Sequence, residues 1–296
     1  MIYEIYHKTA FEYEGMVTFS HNIARLKPQN NAFQKLIDFS MEIEPCVYEK
    51  HDFKDMFGNV NTHMLIREAH RSLSVIGRSK VEIFPHGIQD YLQKITSHSL
   101  SYAQTLDALA HGDASLLDAK HFLFDSPLIQ KSSDAIKSYA LQSFSPHRNV
   151  FEAAQEFMGR IFADFKFVSG FSDVMTPIEE IFEAKQGVCQ DFAQFAISAL
   201  RTIGLPAKYM SGYIETIPQK GKEKLFGVDA SHAWFALYFP HMGWISFDPT
   251  NNVIPSEHHI LLGSGRDYSD ISPLKGVVLS SGHSQLSIMV DVKRVD

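Results

Sequence analysis

The hydrophobic period of this chain changes twice, which limits it to a mixed fold of separate β and α segments. The first 85 or so residues alternate in MIYEIYHKTAFEY, FQKLIDFSMEIEP and SLSVIGRSKVEIF, with β-branched and aromatic residues on one face. In KDMFGNVNTH, Gly58-Asn59 stands between two extended runs, as a hairpin turn does. From about residue 100 the spacing becomes helical in LLDAKHFLF, DAIKSYALQSF and NVFEAAQEFMGRIFADF. The last of these puts Phe151, Ala154, Phe157, Met158 and Ile161 on one stripe. PIEEIFEAKQG reads as a short helix with Pro177 at its first position, where a missing N–H costs nothing. After Gly204 the strand pattern returns. The pattern predicts an α+β chain: an N-terminal β-sandwich-like domain over 1–90, then a second unit over 91–296 with a helical lead-in.

Composition narrows the function classes. A formal charge of −7 gives no electrostatic footing for nucleic acid. No run approaches the roughly 20 apolar residues that span a bilayer. MIYEIYHKTAFEYEG lacks the basic and continuously apolar regions of a signal peptide. The two cysteines, Cys46 and Cys189, lie 143 positions apart and make no disulfide framework. A cytoplasmic protein with reduced thiols and no membrane partner is the expectation. Cys46 follows Pro45 in a strand-like run without acid–base company and reads as structural.

Cys189 is different. Apolar residues recur at Phe192, Phe195, Ala196, Ala199, Leu200 and Ile203, a helix that Gly204 and Leu205-Pro206 terminate. Gly187 breaks the preceding helix, so Cys189 falls in the first turn. Unpaired N–H groups and the helix dipole there favour thiolate over thiol. Taken alone, Cys189 reads better as a small core residue. A histidine partner, held by a third group, separates the two readings.

That partner is sought in SHAWFALYFPHMGWISFDPTN, residues 231–251, because it reads as two strands around a PHMG turn. His232, Trp234, Ala236 and Tyr238 share one face; Trp244, Ser246 and Asp248 share one face of the return strand. An odd-length loop pairs Tyr238 with Trp244 and sets Trp234 opposite Asp248. His232 and Asp248 then become diagonal neighbours roughly 7–8 Å apart at the backbone. An even-length loop sends them to opposite faces. Singly, His232 is a strand histidine packed on Trp234 and Asp248 a turn-former before Pro249. Their conjunction with a helix-start cysteine is rarer.

At these residues the chain resembles the transglutaminase-like superfamily, which carries a Cys–His–Asp triad on a papain-like α+β core. QGVCQDFAQFAISALRTIGLPAKYMSGY resembles its cysteine helix and the strand that follows; HAW and GWISFDPTN resemble its histidine and aspartate strands. ARLKPQ, DMFGN and GRDYSDISPLKG (265–276) resemble flanking stretches of a bacterial subgroup of cysteine proteases. The resemblance implies that Cys189, His232 and Asp248 are catalytic, acting on amide bonds of peptides or proteins through a thioester acyl-enzyme. A cysteine peptidase is the first reading. Protein-glutamine amine transfer, small-molecule acyl transfer and a non-catalytic peptide-binding role are the alternatives.

An oxyanion formed at Cys189 needs donors, of which its own backbone N–H is one. Gln190, Tyr213 and Trp234 are candidates for the second, or for lining the cleft. Arg266, Asp267, Tyr268 and Asp270 either line the cleft or fix a loop through internal hydrogen bonds, and loop chemistry favours the second. No cofactor is expected. No metal ligands are assigned, since His258 and His259 are adjacent and point to opposite sides if extended. The oligomeric state is left open.

Overall fold

The computed structural model describes residues 1–112, 116–216, 226, 227 and 229–296. Alternating burial makes the first part of the chain strands: β1 (Ile2–Val17), β2 (Phe19–Lys27), β3 (Gln34–Glu44), β4 (Glu49–Lys54), β5 (Val60–Ile66) and β6 (His70–Ile83). On β1, Tyr3, Ile5, His7 and Thr9 face inward, while the residues between them are half-buried or exposed. Helices follow: α1 (Pro85–His98), α2 (Tyr102–His111), α3 (Leu117–Lys120), α4 (Asp134–Leu141), α5 (Val150–Asp164), α6 (Ile178–Ala184) and α7 (Cys189–Thr202). Two short parallel strands, β7 (Lys166–Phe167) and β8 (Gln186–Gly187), bracket α6. The chain ends with β9 (Ala207–Ile214), β10 (Ser231–Phe239), β11 (Gly243–Phe247), β12 (His259–Gly265), α8 (Tyr268–Ile271), β13 (Leu274–Leu279) and β14 (Ser284–Arg294).

Two antiparallel sheets, ordered β14-β1-β6-β3 and β13-β2-β5-β4, face one another. Tyr13, Val17, Ala24, Leu26, Met64, Ile66, Leu73 and Val75 fill the space between them. This is the expected β-sandwich, but its limits differ from 1–90. Position 90 falls inside α1, and the last two strands pair with β2 and β1 rather than with the second unit. The pairing is long-range, and local alternation carries no information about it.

The third sheet, β11-β10-β9-β12, packs against α7. From Asp191 to Arg201 every residue of α7 is buried, because α4, α5, α6 and the sheet enclose it. Phe195 meets the rings of Tyr139, Phe165 and Phe182 at centroid distances of 5.7, 4.8 and 5.6 Å. Each such phenylalanine stabilises the core by about 1.5–3 kcal/mol. Helix α7 is therefore the rigid axis on which a residue at its first turn is fixed.

The free edge of β12 is covered by side-chain amides of the sandwich. Gln34 accepts from the Leu261 N–H at 2.7 Å and donates to the Leu261 carbonyl at 2.8 Å. Asn59 does the same for Ser264, at 2.9 and 2.8 Å. The amides supply the ladder bonds a neighbouring strand would have made, which removes an exposed edge. Gly263 is needed for this, as a Cβ there would come within 2.3 Å of the Asn59 oxygen. Among the described residues no helix is long and apolar enough to cross a membrane. Cys46 is exposed rather than packed in the sandwich, so it is not a core residue.

Candidate active site

The first turn of α7 is held from below by Asp191. Its Oδ2 accepts the Val188 N–H at 2.7 Å and a hydrogen bond from the Ser172 hydroxyl. A Cβ on Gly187 would come within 2.8 Å of that same oxygen, so only glycine lets Asp191 reach back. Cys189 stands at the first helical position, half-buried and free of any disulfide. The first-turn N–H groups of a helix lack intrahelical acceptors, so the Cys189 N–H points out of the helix start unpaired with its own ladder.

Strand parity delivers the histidine and the carboxylate. Strands β10 and β11 pair Tyr238 with Trp244 and Phe239 with Gly243, leaving a three-residue turn. This is the odd-length register, with His241 and Gly243 at φ of 65° and 90° completing the turn. His232 Nε2 lies 2.7 Å from Asp248 Oδ2, and both side chains are buried. Cys189 is a hydrogen-bond neighbour of the same imidazole.

Asp248 collects more donors than the sequence suggested. Its Oδ2 also accepts from His259 Nε2 at 3.0 Å and from the Asn251 side-chain amide at 2.7 Å. Its Oδ1 accepts the backbone N–H groups of Thr250 and Asn251 at 3.0 and 3.2 Å. The turn after Pro249 thus folds back onto the carboxylate, closed by an Asp248–Val253 backbone bridge. Five donors around a fully buried carboxylate satisfy it as an anion.

The titration behaviour follows. Burial alone disfavours a charged imidazole at His232, but the bonds and charges of Asp248 and Cys189 outweigh it and push the group up to about 10. Burial works against ionising Asp248, yet the His232 and His259 bonds hold it well below the usual carboxylate range. Burial, only partly offset by Asp248, holds His259 below its ordinary value. One imidazole beside the carboxylate is thus built to carry charge and the other to stay neutral.

The remaining sequence candidates separate. Gln190 is half-buried beside Cys189 in the first turn of α7. Trp234 shares the His232 face, with ring centroids 6.0 Å apart, but lines a cavity of about 290 Å³ with Lys208, Met210, Trp244 and His259. Its Nε1 has no hydrogen-bond partner among the described residues. Tyr213 does not reach the site. It pairs with Ser231, one residue out of step with His232, and its hydroxyl lies 3.0 Å from His7 Nδ1 in the sandwich. Parity, which brought His232 and Asp248 together, excludes Tyr213.

The 265–276 stretch is a brace. Arg266 grips Asp270 through two hydrogen bonds of 2.9 and 3.0 Å, and buried Asp267 caps α8. Arg201, near the end of α7, donates to the carbonyls of Ala207 and Arg266 at 3.0 and 2.6 Å. Tyr268 packs on Tyr209, centroids 6.2 Å apart. Three residues near the site were missed from sequence: His259, Asn251 and Tyr209. Tyr209 is a buried phenol whose ionisation burial and the nearby Cys189 oppose. Asn251 could have been found, as an Asx-type turn after Asp-Pro. His232, Asp248 and His259 bring ligand atoms within 4.8 Å of one another, but those atoms already hydrogen-bond among themselves.

Residues 137–249 match the model of the transglutaminase-like superfamily, and residues 3–82 that of the bacterial transglutaminase-like N-terminal region. An uncharacterized protein of Mycobacterium tuberculosis is 33% identical over 296 residues, covering 98% of this chain and 92% of its own length. A protein-glutamine gamma-glutamyltransferase of Pseudomonas aeruginosa is 32% identical over 104 residues, 32% of this chain and 15% of that protein. The crystal structure of a candidate cysteine protease from Cytophaga hutchinsonii superposes with a TM-score of 0.74 at 20% identity, over 100% of this chain and 91% of that one.

Proposed function

Because the chain belongs to the transglutaminase-like superfamily, we propose that it is a thiol amidase acting on peptide or protein substrates, with Cys189 as nucleophile, His232 as proton carrier and Asp248 as the group that orients and charges the imidazole. The observation that carries this reading is the 2.7 Å contact between His232 Nε2 and Asp248 Oδ2, in a ring that also has Cys189 as a hydrogen-bond neighbour.

The chemistry runs in two halves. The Cys189 sulfur attacks the amide carbon, and the carbonyl oxygen becomes an oxyanion that the Cys189 N–H can receive. His232 gives its proton to the leaving nitrogen, the C–N bond breaks and a thioester remains. Water then attacks the thioester while the neutral imidazole takes its proton. The C–S bond breaks, an acid leaves and the thiol is restored. Asp248 stays ionised throughout, supporting the imidazolium.

A second reading shares every residue. An amine in place of water gives a new amide, and the match of the core to a protein-glutamine gamma-glutamyltransferase favours it. The cytoplasmic location belongs to this proposal too, resting on two distant, unpaired cysteines.

Mass spectrometry of the protein mixed with a peptide and ester library tests the proposal. A thioester adduct on the Cys189 peptide, absent in Cys189→Ala and chased by water or by an added amine, is expected. Turnover by folded Cys189→Ala at the wild-type rate would overturn it.

A further inference from the structure

Away from this site, the outer face of the β13-β2-β5-β4 sheet gathers four polar side chains from three strands. His63 on β5 pairs directly with His51 on β4, their ring centroids 4.5 Å apart. His21 on β2 is paired with Leu65, two residues beyond His63, so it is a diagonal neighbour on the same face. Its ring centroid lies 4.3 Å from that of His63, and the two Nε2 atoms are in direct contact. Glu49, two residues before His51, shares that face; ligand atoms of Glu49, His51 and His63 all lie within 4.8 Å of one another.

We propose that His21, His51, His63 and Glu49 form a binding site for a divalent transition metal of the zinc class, which ties the edge strand β4 to β5 and β2.

The donor set is chemically suited. Three imidazoles and one carboxylate are the ligands zinc takes in a closed, four-coordinate site. Imidazole nitrogens facing one another need a shared proton or a shared cation, because a neutral ring offers one lone pair and one N–H. A single proton bridges one pair of rings. It leaves out the third ring and the carboxylate, His51 Nδ1 and Glu49 Oε1 lying 3.9 Å apart, whereas one cation receives all four. His63 Nδ1 is buried and has no hydrogen-bond partner among the described residues, so this ring's polar contacts lie within the cluster.

The position gives the site a purpose. All six residues of β4 are exposed, and β4 has a neighbour on one side only. Such a strand is held by its ladder bonds with little packing. A cation gripped by β2, β5 and β4 together would fasten it at the cost of no buried area. Sequence spacing hides such a site, since its ligands lie 30 and 12 positions apart and converge only through strand pairing.

The test uses the full chain carrying Cys189→Ala, so that the thiol cannot supply a ligand. Titration with Zn²⁺ by calorimetry, after removal of metal by a chelator, is expected to give one ion per chain. Thermal unfolding is expected to shift upward in Zn²⁺. In the same background His21→Ala and His51→Ala, both at exposed positions, are expected to remove the bound ion and the shift while circular dichroism stays unchanged. One ion per chain persisting in the His21→Ala/His51→Ala double variant would overturn the proposal. So would the absence of any Zn²⁺ binding in the Cys189→Ala protein.

Discussion

His259 Nε2 lies 3.0 Å from Asp248 Oδ2, the same oxygen that holds His232. One buried carboxylate oxygen thus serves two imidazoles, of which only His232 also faces the thiol. In the proposed mechanism His259 would act through Asp248, as a positioning residue.

His259→Ala is expected to lower turnover by about ten- to hundredfold, the worth of one hydrogen bond to a charged group. Substrate affinity should change little. The alkaline limb of the pH–rate profile should move to lower pH, because a less firmly held carboxylate supports the imidazolium less. Steady-state kinetics across pH checks this; an unmoved limb would leave His259 a purely structural role. His259→Gln, which keeps a donor, is expected to recover part of the loss.

Asp248→Asn is expected to cost on the order of 10³–10⁴ in turnover, since an amide selects the wrong tautomer and cannot support a cation. It should also cost about 1–3 kcal/mol of stability, because an amide oxygen cannot receive all five donors now gathered there. Urea denaturation beside turnover measurements checks both. A variant as active as the wild type would remove Asp248 from the triad.

The stability gap between wild type and Asp248→Asn should depend on pH. His232 is raised from 6.5 to about 10, so its contribution is complete below pH 6.5 and fades as pH rises toward 10. Asp248 is depressed from 3.8, so its contribution is present above that value and lost in acid. The gap is therefore expected to be widest between about pH 4 and 6.5. A gap that grew between pH 7 and 10 would contradict this ordering.

Outside the site, His7 makes the opposite prediction. Burial lowers it to about 4, and its Nδ1 meets the Tyr213 hydroxyl at the junction of sandwich and core. The folded chain resists protonating it, so stability should fall by up to about 3 kcal/mol as pH drops from 6.5 to 4. His7→Gln should flatten that slope in urea unfolding measured at several pH values. An equal slope in the variant would show that other groups carry it.

The two thiols give a direct chemical contrast. Cys46 is exposed and Cys189 only half-buried, so exposure alone favours labelling Cys46. Cys189 has the imidazole, and limiting iodoacetamide near neutral pH is expected to label it first. His232→Ala should slow its labelling severalfold or more. Peptide mapping of the alkylated protein decides, and preferential labelling of Cys46 in the wild type would count against the thiol's assignment.

Much of this site was legible because its signals are local. The spacing from Phe192 to Ile203 and the Gly204-Leu205-Pro206 stop define α7 without reference to anything distant, and they put Cys189 in its first turn. The His232–Asp248 relation followed from strand parity across a short turn, which a sequence displays directly. His259 was not legible. Adjacency to His258 says that the two rings diverge, and His258 does turn instead to Glu215 at 2.9 Å. Which of them meets Asp248 is set by the pairing of β12 with β9, more than forty residues away in the chain. Tyr213 was misplaced for the same reason: the β9–β10 register joins strands far apart in the chain, and local alternation does not give it. The limits of the sandwich failed at long range too, since nothing in LKGVVL names β2 as its partner.

The placement of β1 between β6 and β14 sets an order of events during synthesis. β1 leaves the ribosome long before one of its two neighbours, which consists of residues 284–294. The helices around Cys189 and their sheet are already translated by then, and their contacts span shorter stretches of chain. The sandwich is thus the late-closing part, because its outermost ladders carry the largest loop-closure cost. Until β13 and β14 arrive, β2 and β1 each present a bare edge to any other strand in the cell. Truncation ahead of residue 274 would make that transient exposure permanent, with aggregation through the sandwich rather than loss of the Cys189 site as its first symptom.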